Sequence, residues 1–192
     1  MKGLCFVEDG LKRNILDYFY LAVFAGLIVT VDQVTKTLVR TRLPVQGVWA
    51  PWPWLTPYAR IVHWYNSGVA FGMFQGMNGV FVVLAILVSV AIIYYFPRVP
   101  RQDWALRLAM GMQLAGAVGN LIDRIKFGNV TDFISVGNFA FFNVADASIS
   151  VGVAILILVV WIQDMKKKKT TNTIIPPLIS SEKTSPGEDE TK

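Results

Sequence analysis

The chain has 192 residues, 54% of them hydrophobic and 16% charged, with a mean hydropathy of +0.48, which excludes an ordinary soluble domain and points to a membrane protein. A single cysteine, Cys5, excludes an internal disulfide framework, and with no apolar stretch before it Cys5 reads as inert, not as a lipid attachment site. Much of the net charge of +5 sits in KKKK at 166–169, directly after an apolar run, where it fits a cytoplasmic anchor and not a nucleic-acid surface.

In chain order, residues 1–14 read as a cytoplasmic N-terminus and 15–165 as a domain of four membrane-spanning helices, each near the ~17 to 25 residues needed to cross a hydrocarbon core. The first span runs from Ile15 to Val31 and opens beside Asp17. An outer loop over 43–78 follows, rich in aromatics (Trp49, Trp52, Trp54, Tyr58, Trp64, Tyr65) whose amphipathic rings favour the membrane interface. Within it ARIVHWYN has the composition of a short strand, and His63, with no Cys or second His nearby, reads as structural. The second span covers Gly79 to Phe96, free of charge. The third covers Trp104 to Ile122 and carries Arg107, which, like Asp17, lies near a span end and is expected to reach the headgroups. A second outer segment, 123–145, leads into the fourth span, Ala147 to Gln163. The tail, 166–192, is basic and then polar, with Pro176, Pro177, Pro186 and Gly187, and is expected to be disordered. The predicted fold is therefore all-α: four transmembrane helices with a small extracytoplasmic β/loop element between helices 1 and 2.

Basic residues near span ends favour the cytoplasm. Lys12 and Arg13, Arg98 and Arg101, and Lys166 to Lys169 fall on one side, which makes both termini cytoplasmic. Lys36, Arg40, Arg42, Arg60, Arg124 and Lys126 then lie outside and need another role.

Four acids lie near the outer span ends, each costing roughly 2.5 to 3.5 kcal/mol in hydrocarbon on insertion scales. Asp32 and Lys36 in VDQVTK have the i, i+4 spacing of a helical ion pair. Asp123 is followed at once by Arg124, which suggests local charge compensation. Asp132 and Asp146 have no cation in their local sequence. If the chain between them doubles back, two carboxyls meet and cannot both ionise cheaply, the arrangement that lets one activate water while the other donates a proton. The competing structural reading makes Asp146 the N-cap of span four.

Five motifs, VDQVTK (31–36), NSGVAFG (66–72), GAVGNLIDR (116–124), GNVTDF (128–133) and FNVADASISVG (142–152), together resemble the lipoprotein signal peptidases, the bacterial signal peptidase II family. The resemblance implies an aspartic endopeptidase of the bacterial inner membrane that removes signal peptides from diacylglyceryl-modified prolipoproteins, cleaving before the lipidated Cys. It implies that Asp132 and Asp146 are the catalytic pair and that Asn66, Gly68, Asn120, Arg124 and Asn143 bind substrate or order the site. Asp32, Lys36 and Asp123 take structural polar roles. No metal and no cofactor is called for, since no His or Cys cluster accompanies these groups. The expected partners are prolipoprotein substrates and membrane lipids, with no nucleic acid, and the chain is expected to be a monomer with its active site on the extracytoplasmic side. Departures from the family are Thr131 where Val is usual, Val69 where a smaller residue is common, and a short segment between Asp132 and Asp146. Small residues near the acids, Gly116, Ala117, Gly119, Ala145 and Ala147, would allow close approach of helix and peptide, the competing reading being plain helix packing. The rival reading from another class is a small proton-coupled transporter, which would place acids near mid-span.

Overall fold

The computed structural model describes residues 2–68, 74–137 and 141–174, and within them the side chains from 14 to 167. The side chain of Cys5, Val69 and the tail beyond residue 174 lie outside the described residues. Four helices are long and apolar enough to cross a membrane: α1 (Lys2–Arg42), α2 (Asn78–Tyr95), α3 (Trp104–Phe127) and α4 (Val144–Ile174). α1, α3 and α4 outrun their predicted apolar cores, whereas α2 matches its own to within one residue at each end. In α1 the large apolar side chains Phe19, Leu27, Val31, Val34 and Leu38 are exposed, while Asp17, Asp32 and Lys36 are buried. That inversion of the soluble pattern is what a lipid solvent selects. Asp17 departs from expectation: instead of reaching outward it is buried, paired with Arg101 at 2.9 Å and Arg107 at 2.8 Å.

Residues Met1–Ile157 form one compact unit and Leu158–Lys192 a second. In the first, α3 is the most enclosed helix, with 44% of its apolar window buried against 17% in each of the others. Leu114 and Ala115 of α3 meet Leu21 and Ala25 of α1 and Ile92 of α2 in the apolar core. Against α4 the contact is backbone-close: a Cβ at Gly116 would overlap the Ala145 carbonyl and Ile149, and one at Gly119 would stand 2.8 Å from a carboxylate oxygen of Asp32. Ser148 Oγ donates to Met112 O across this seam at 2.9 Å. The second unit holds the C-terminal part of α4, where Leu158, Val160 and Trp161 are exposed. Its helix runs to Ile174, well into the segment expected to be disordered.

The β element is larger than expected. Strands β1 (Val48–Trp49), β2 (Ala59–Asn66), β3 (Val130–Val136) and β4 (Phe141–Phe142) form one antiparallel sheet in that order, so the second outer segment contributes half of it. ARIVHWYN is β2 as read from the sequence. Gly128, at φ 73° in the left-handed region, ends α3 by donating its N–H to Arg124 O at 3.1 Å, and β3 starts two residues later. The pairing of β2 with β3 is offset by an irregularity between Ile61 and Trp64, beyond which Trp64 stands opposite Asp132. β4 is only two residues long and delivers the chain directly into α4.

Candidate active site

Asp132 lies on β3 and Asp146 in the first turn of α4, and the short return through β4 brings them to one site. The chain does double back between them. Asp146 is not the N-cap of α4. Asn143 is: its Oδ1 accepts the Asp146 N–H at 3.0 Å, and Asp146 Oδ2 accepts the Asn143 N–H at 3.2 Å. This reciprocal pair is a capping box with Asp in the third helical position, and it fixes one carboxylate oxygen by a backbone bond.

Three carboxamides surround the two acids, and each is held in one orientation by a bond to its oxygen. Asn66 Oδ1 accepts the Gly68 N–H at 2.9 Å, closing a turn after β2, so its Nδ2 faces Asp132 Oδ2 at 3.0 Å. Asn143 Oδ1 is occupied by the cap, so its Nδ2 reaches Asp132 Oδ1 at 2.7 Å. Asn120 Oδ1 accepts from Lys36 Nζ at 3.0 Å and from Asn143 Nδ2 at 3.2 Å, which turns its Nδ2 to Asp146 Oδ1 at 2.7 Å. Among the described residues, both acids thus meet neutral donors and no cation within hydrogen-bonding distance. Asp132 is 1% exposed. Burial, and after it the charge of Asp146, push its carboxyl up to about 7 despite the opposing bonds from Asn66 and Asn143.

Behind this pair lies a second set of buried charges with a different character. Lys36 is fully buried, with Nζ 2.8 Å from Asp32 Oδ2 and 3.2 Å from Asp123 Oδ2. The Asp32–Lys36 pair is the one expected from spacing. Asp123 forms its direct ion pairs with Lys36 and Arg40, the latter at 3.5 Å, while the adjacent Arg124 acts on it by charge without such a pair, because neighbours in sequence point to different faces of a helix. Asp123 Oδ2 also accepts the Thr131 N–H at 3.0 Å, and Asp32 Oδ1 accepts the Ala145 N–H at 2.9 Å, so the network grips β3 one residue before Asp132 and α4 one residue before Asp146. Gln33 spans Gly119 O at 3.0 Å and Asp123 Oδ1 at 3.2 Å. Sequence reasoning missed Gln33 and gave Arg40 no role. The signal for Arg40 was present, since Asp32, Lys36 and Arg40 form an i, i+4, i+8 stripe. Thr131, the departure from the family, accepts from Arg40 at 3.0 Å through Oγ1.

Arg124 donates to Gly68 O at 3.3 Å and lies 5.2 Å from the Phe81 ring centroid. With Asn120 and Asp146 it lines a cleft of about 400 Å³ whose other walls include Phe81, Leu84 and Val88 of α2 and Ile149 of α4. Asn66, Asn120 and Asn143 thus bond to the two acids, Gly68 and Arg124 are linked to them through Asn66 and the Gly68 carbonyl, and Asp32, Lys36 and Asp123 lie behind. Among the described residues no group of three or more His, Cys, Asp or Glu side chains is placed to hold a metal ion.

Four membrane helices enclosing a buried polar site at one end define a multi-pass membrane protein with the makings of an enzyme. The sequence profile of signal peptidase (SPase) II matches residues 24–162. A lipoprotein signal peptidase of Desulfitobacterium hafniense is 35% identical over 147 residues, covering 76% of this chain and 95% of that protein. One from Staphylococcus aureus is 33% identical over 151 residues, covering 77% and 90%. Two solved structures, both described as bacterial membrane enzymes, align with TM-scores of 0.68 and 0.65 at 27% and 30% identity, covering 86% and 73% of this chain and 94% and 92% of theirs. The chain belongs to the signal peptidase II family of membrane peptidases.

Proposed function

We propose that the chain is an aspartic endopeptidase that removes signal peptides from diacylglyceryl-modified prolipoproteins, cutting before the lipidated Cys, with Asp132 and Asp146 as its catalytic pair. The observation that carries this is the contrast between the two sets of acids. Asp32 and Asp123 sit in ion pairs with Lys36 and Arg40, as braces. Among the described residues, Asp132 and Asp146 meet only amide donors, and Asp132 is raised to about 7, so at neutral pH the pair holds one proton between two carboxyls. The transporter reading is disfavoured because these acids converge at one end of the helices instead of stepping across them.

The proposed reaction starts from that single proton. The ionised carboxyl takes a proton from water as the water oxygen bonds to the scissile carbonyl carbon, while the protonated carboxyl donates to the carbonyl oxygen, giving a gem-diol. Collapse of the gem-diol breaks the C–N bond: the proton taken from water passes to the leaving amine, and one hydroxyl returns its proton to the other carboxylate, which restores the pair. Asn120, Asn143 and Asn66 hold both carboxyls without neutralising them. Arg124, beside the cleft, is placed to bind peptide carbonyls. The apolar walls from α2 and α4 accept the signal sequence and acyl chains from the bilayer. In this reading the enzyme acts as a monomer in the inner membrane, with the pair on the outer side and both termini and the tail cytoplasmic, as the basic residues at span ends favour. The test is cleavage of a lipidated precursor peptide by purified protein: wild type cuts, Asp132→Asn does not. Substantial cleavage by the variant overturns the assignment.

A further inference from the structure

The cleft beside Asn120 and Arg124 continues along α3 past the groups assigned above. Gln113, Ala117, Asn120 and Arg124 all line it, and their i, i+4, i+7, i+11 spacing puts them in one stripe on that helix. Gln113 lies well inside α3, seven residues before Asn120 and so about 10 Å further into the membrane. No step of the proposed reaction uses it.

A carboxamide at that depth needs hydrogen-bond partners. Other polar side chains of the spans find them on a helix backbone: Thr30 donates to Gly26 O at 2.7 Å, Ser89 to Ala85 O at 2.7 Å and Ser148 to Met112 O at 2.9 Å. The Gln113 side chain bonds to no other described residue. It is half-buried, with its stem packed on α4, where a Cβ at Gly152 would stand 3.1 Å from Gln113 Cγ. The facing walls, Val88 of α2 and Ile149 of α4, are apolar. Lipid tails offer no hydrogen bond either, so the partner has to enter with whatever occupies the cleft.

An occupant with unmet peptide groups is what the proposed reaction requires. For water to reach the scissile carbonyl the signal peptide has to be extended at the acids, since a helix occupies its own carbonyls. Extended peptide groups beyond that point lie in hydrocarbon without an internal partner. At ~3.3 Å per residue, 10 Å corresponds to about three residues. We propose that Gln113 is a specificity residue that hydrogen-bonds the backbone of the signal peptide about three residues before the scissile bond and keeps that stretch extended. A carboxamide both donates to a C=O and accepts from an N–H, which suits a peptide backbone of any sequence. The proposal rests on the peptidase reading of the cleft and deepens it.

The test is a cycle between side chain and backbone. Two full-length chains in detergent, Asp132→Asn alone and Asp132→Asn with Gln113→Leu, would hold a lipidated precursor peptide uncut. Each peptide carries one ester in place of an amide, at the second to the fifth residue before the scissile bond in turn, or at the third residue after it as a control. The ester removes the N–H and weakens the C=O. Affinities are read by competition against a labelled all-amide peptide. With Gln113 present, an ester at the third or fourth residue should weaken binding about fivefold, as loss of one neutral hydrogen bond does. With Gln113→Leu the same ester should cost nothing, and the all-amide peptide should itself bind about fivefold more weakly. The control ester should act alike on both. Gln113→Met, which keeps an unbranched stem against Gly152, repeats the cycle if Gln113→Leu lowers the melting temperature. Equal ester effects in both chains at every position overturn the proposal, as does all-amide binding unchanged by a folded variant. Destabilisation by both variants would make Gln113 a structural group and also overturns it. Wild-type cleavage of the all-amide peptide is run alongside: its absence with the cycle intact counts against the peptidase reading and supports the contact, while no binding at all overturns both.

Discussion

Asp132 links chemistry to stability through one proton. Its carboxyl is raised from 3.8 to about 7, so between those values the folded chain keeps a proton that the unfolded chain has released. The stabilising contribution is therefore complete below about pH 4 and is lost as pH rises through about 7, with a limiting slope of roughly 1.4 kcal/mol per pH unit. Asp132→Asn should remove that part of the pH dependence of the melting temperature in detergent while abolishing cleavage. The slope is the readout, because an amide at 132 would set its own NH2 against the donors of Asn66 or Asn143. A wild-type melting temperature flat from pH 4 to 8 would contradict the raised carboxyl. The braces behave otherwise. Asp123→Asn leaves Lys36 and Arg40 short of a buried counter-charge and should cost ~3 to 5 kcal/mol. Arg124→Gln, whose cation makes no direct pair with Asp123, should melt near wild type and lose cleavage. Equal destabilisation by both would return Arg124 to Asp123 as its partner. Local charge in the sequence set these two kinds of acid apart, as the ion pairs of Asp32 and Asp123 do, yet it did not reveal Lys36 and Arg40 as the direct partners of Asp123. The partner of a buried carboxylate is set by which helix faces meet, and one-dimensional neighbourhood does not encode that.

At the scale of elements, the position of Asp146 depends on how closely α4 approaches α3. Gly116 lies under the Ala145 carbonyl, one residue before Asp146, and no side chain fits between them. Gly116→Val should displace the start of α4, costing ~1 to 3 kcal/mol by overpacking and, through misplacement of the acid, on the order of a hundredfold in single-turnover cleavage. Gly26→Ala, at a helical position with open space around it, should be neutral or slightly stabilising and controls for helix propensity. A Gly116→Val enzyme with wild-type turnover would show that the seam does not position the acid. This seam was legible from its small residues. The four helices were legible too, from apolar runs alone, because a span must satisfy its backbone internally. The second half of the sheet was not. In β3 the side chains of Val130 to Phe133 are buried on both faces, which erases the alternation that marks a half-exposed strand, and two residues of β4 carry no period at all. The cap of α4 was hidden as well. With the fourth span placed from Ala147, Asp146 stood at the cap position, whereas the helix starts three residues earlier and Asn143 caps it.

Across the whole molecule, charge distribution and site geometry bear on one question, which side of the membrane the acids face. The count of outer basic residues weakened the orientation drawn from sequence, but the fold accounts for three of the six. Lys36 and Arg40 are bound to buried acids, and Arg124 to Gly68 and Phe81. Charges consumed in this way are folded into the site, so they do not bias insertion as exposed loop residues do. The bias that remains comes from Arg98 and Arg101 between α2 and α3 and from Lys166 to Lys169 in the C-terminal part of α4, and it favours a cytoplasmic location for both. Single cysteines test this in a Cys5→Ser background. Gln102 is exposed in the turn before α3, and Val45, 56% exposed between α1 and β1, is a better outer position than its neighbour Gln46, whose φ of 63° would strain a cysteine. An impermeant thiol reagent added to intact cells should label Val45→Cys and leave Gln102→Cys unlabelled until the membrane is opened. The reverse pattern would place the acids on the cytoplasmic side and remove them from any substrate that is cleaved after export, and labelling of both from outside would break the four-span topology.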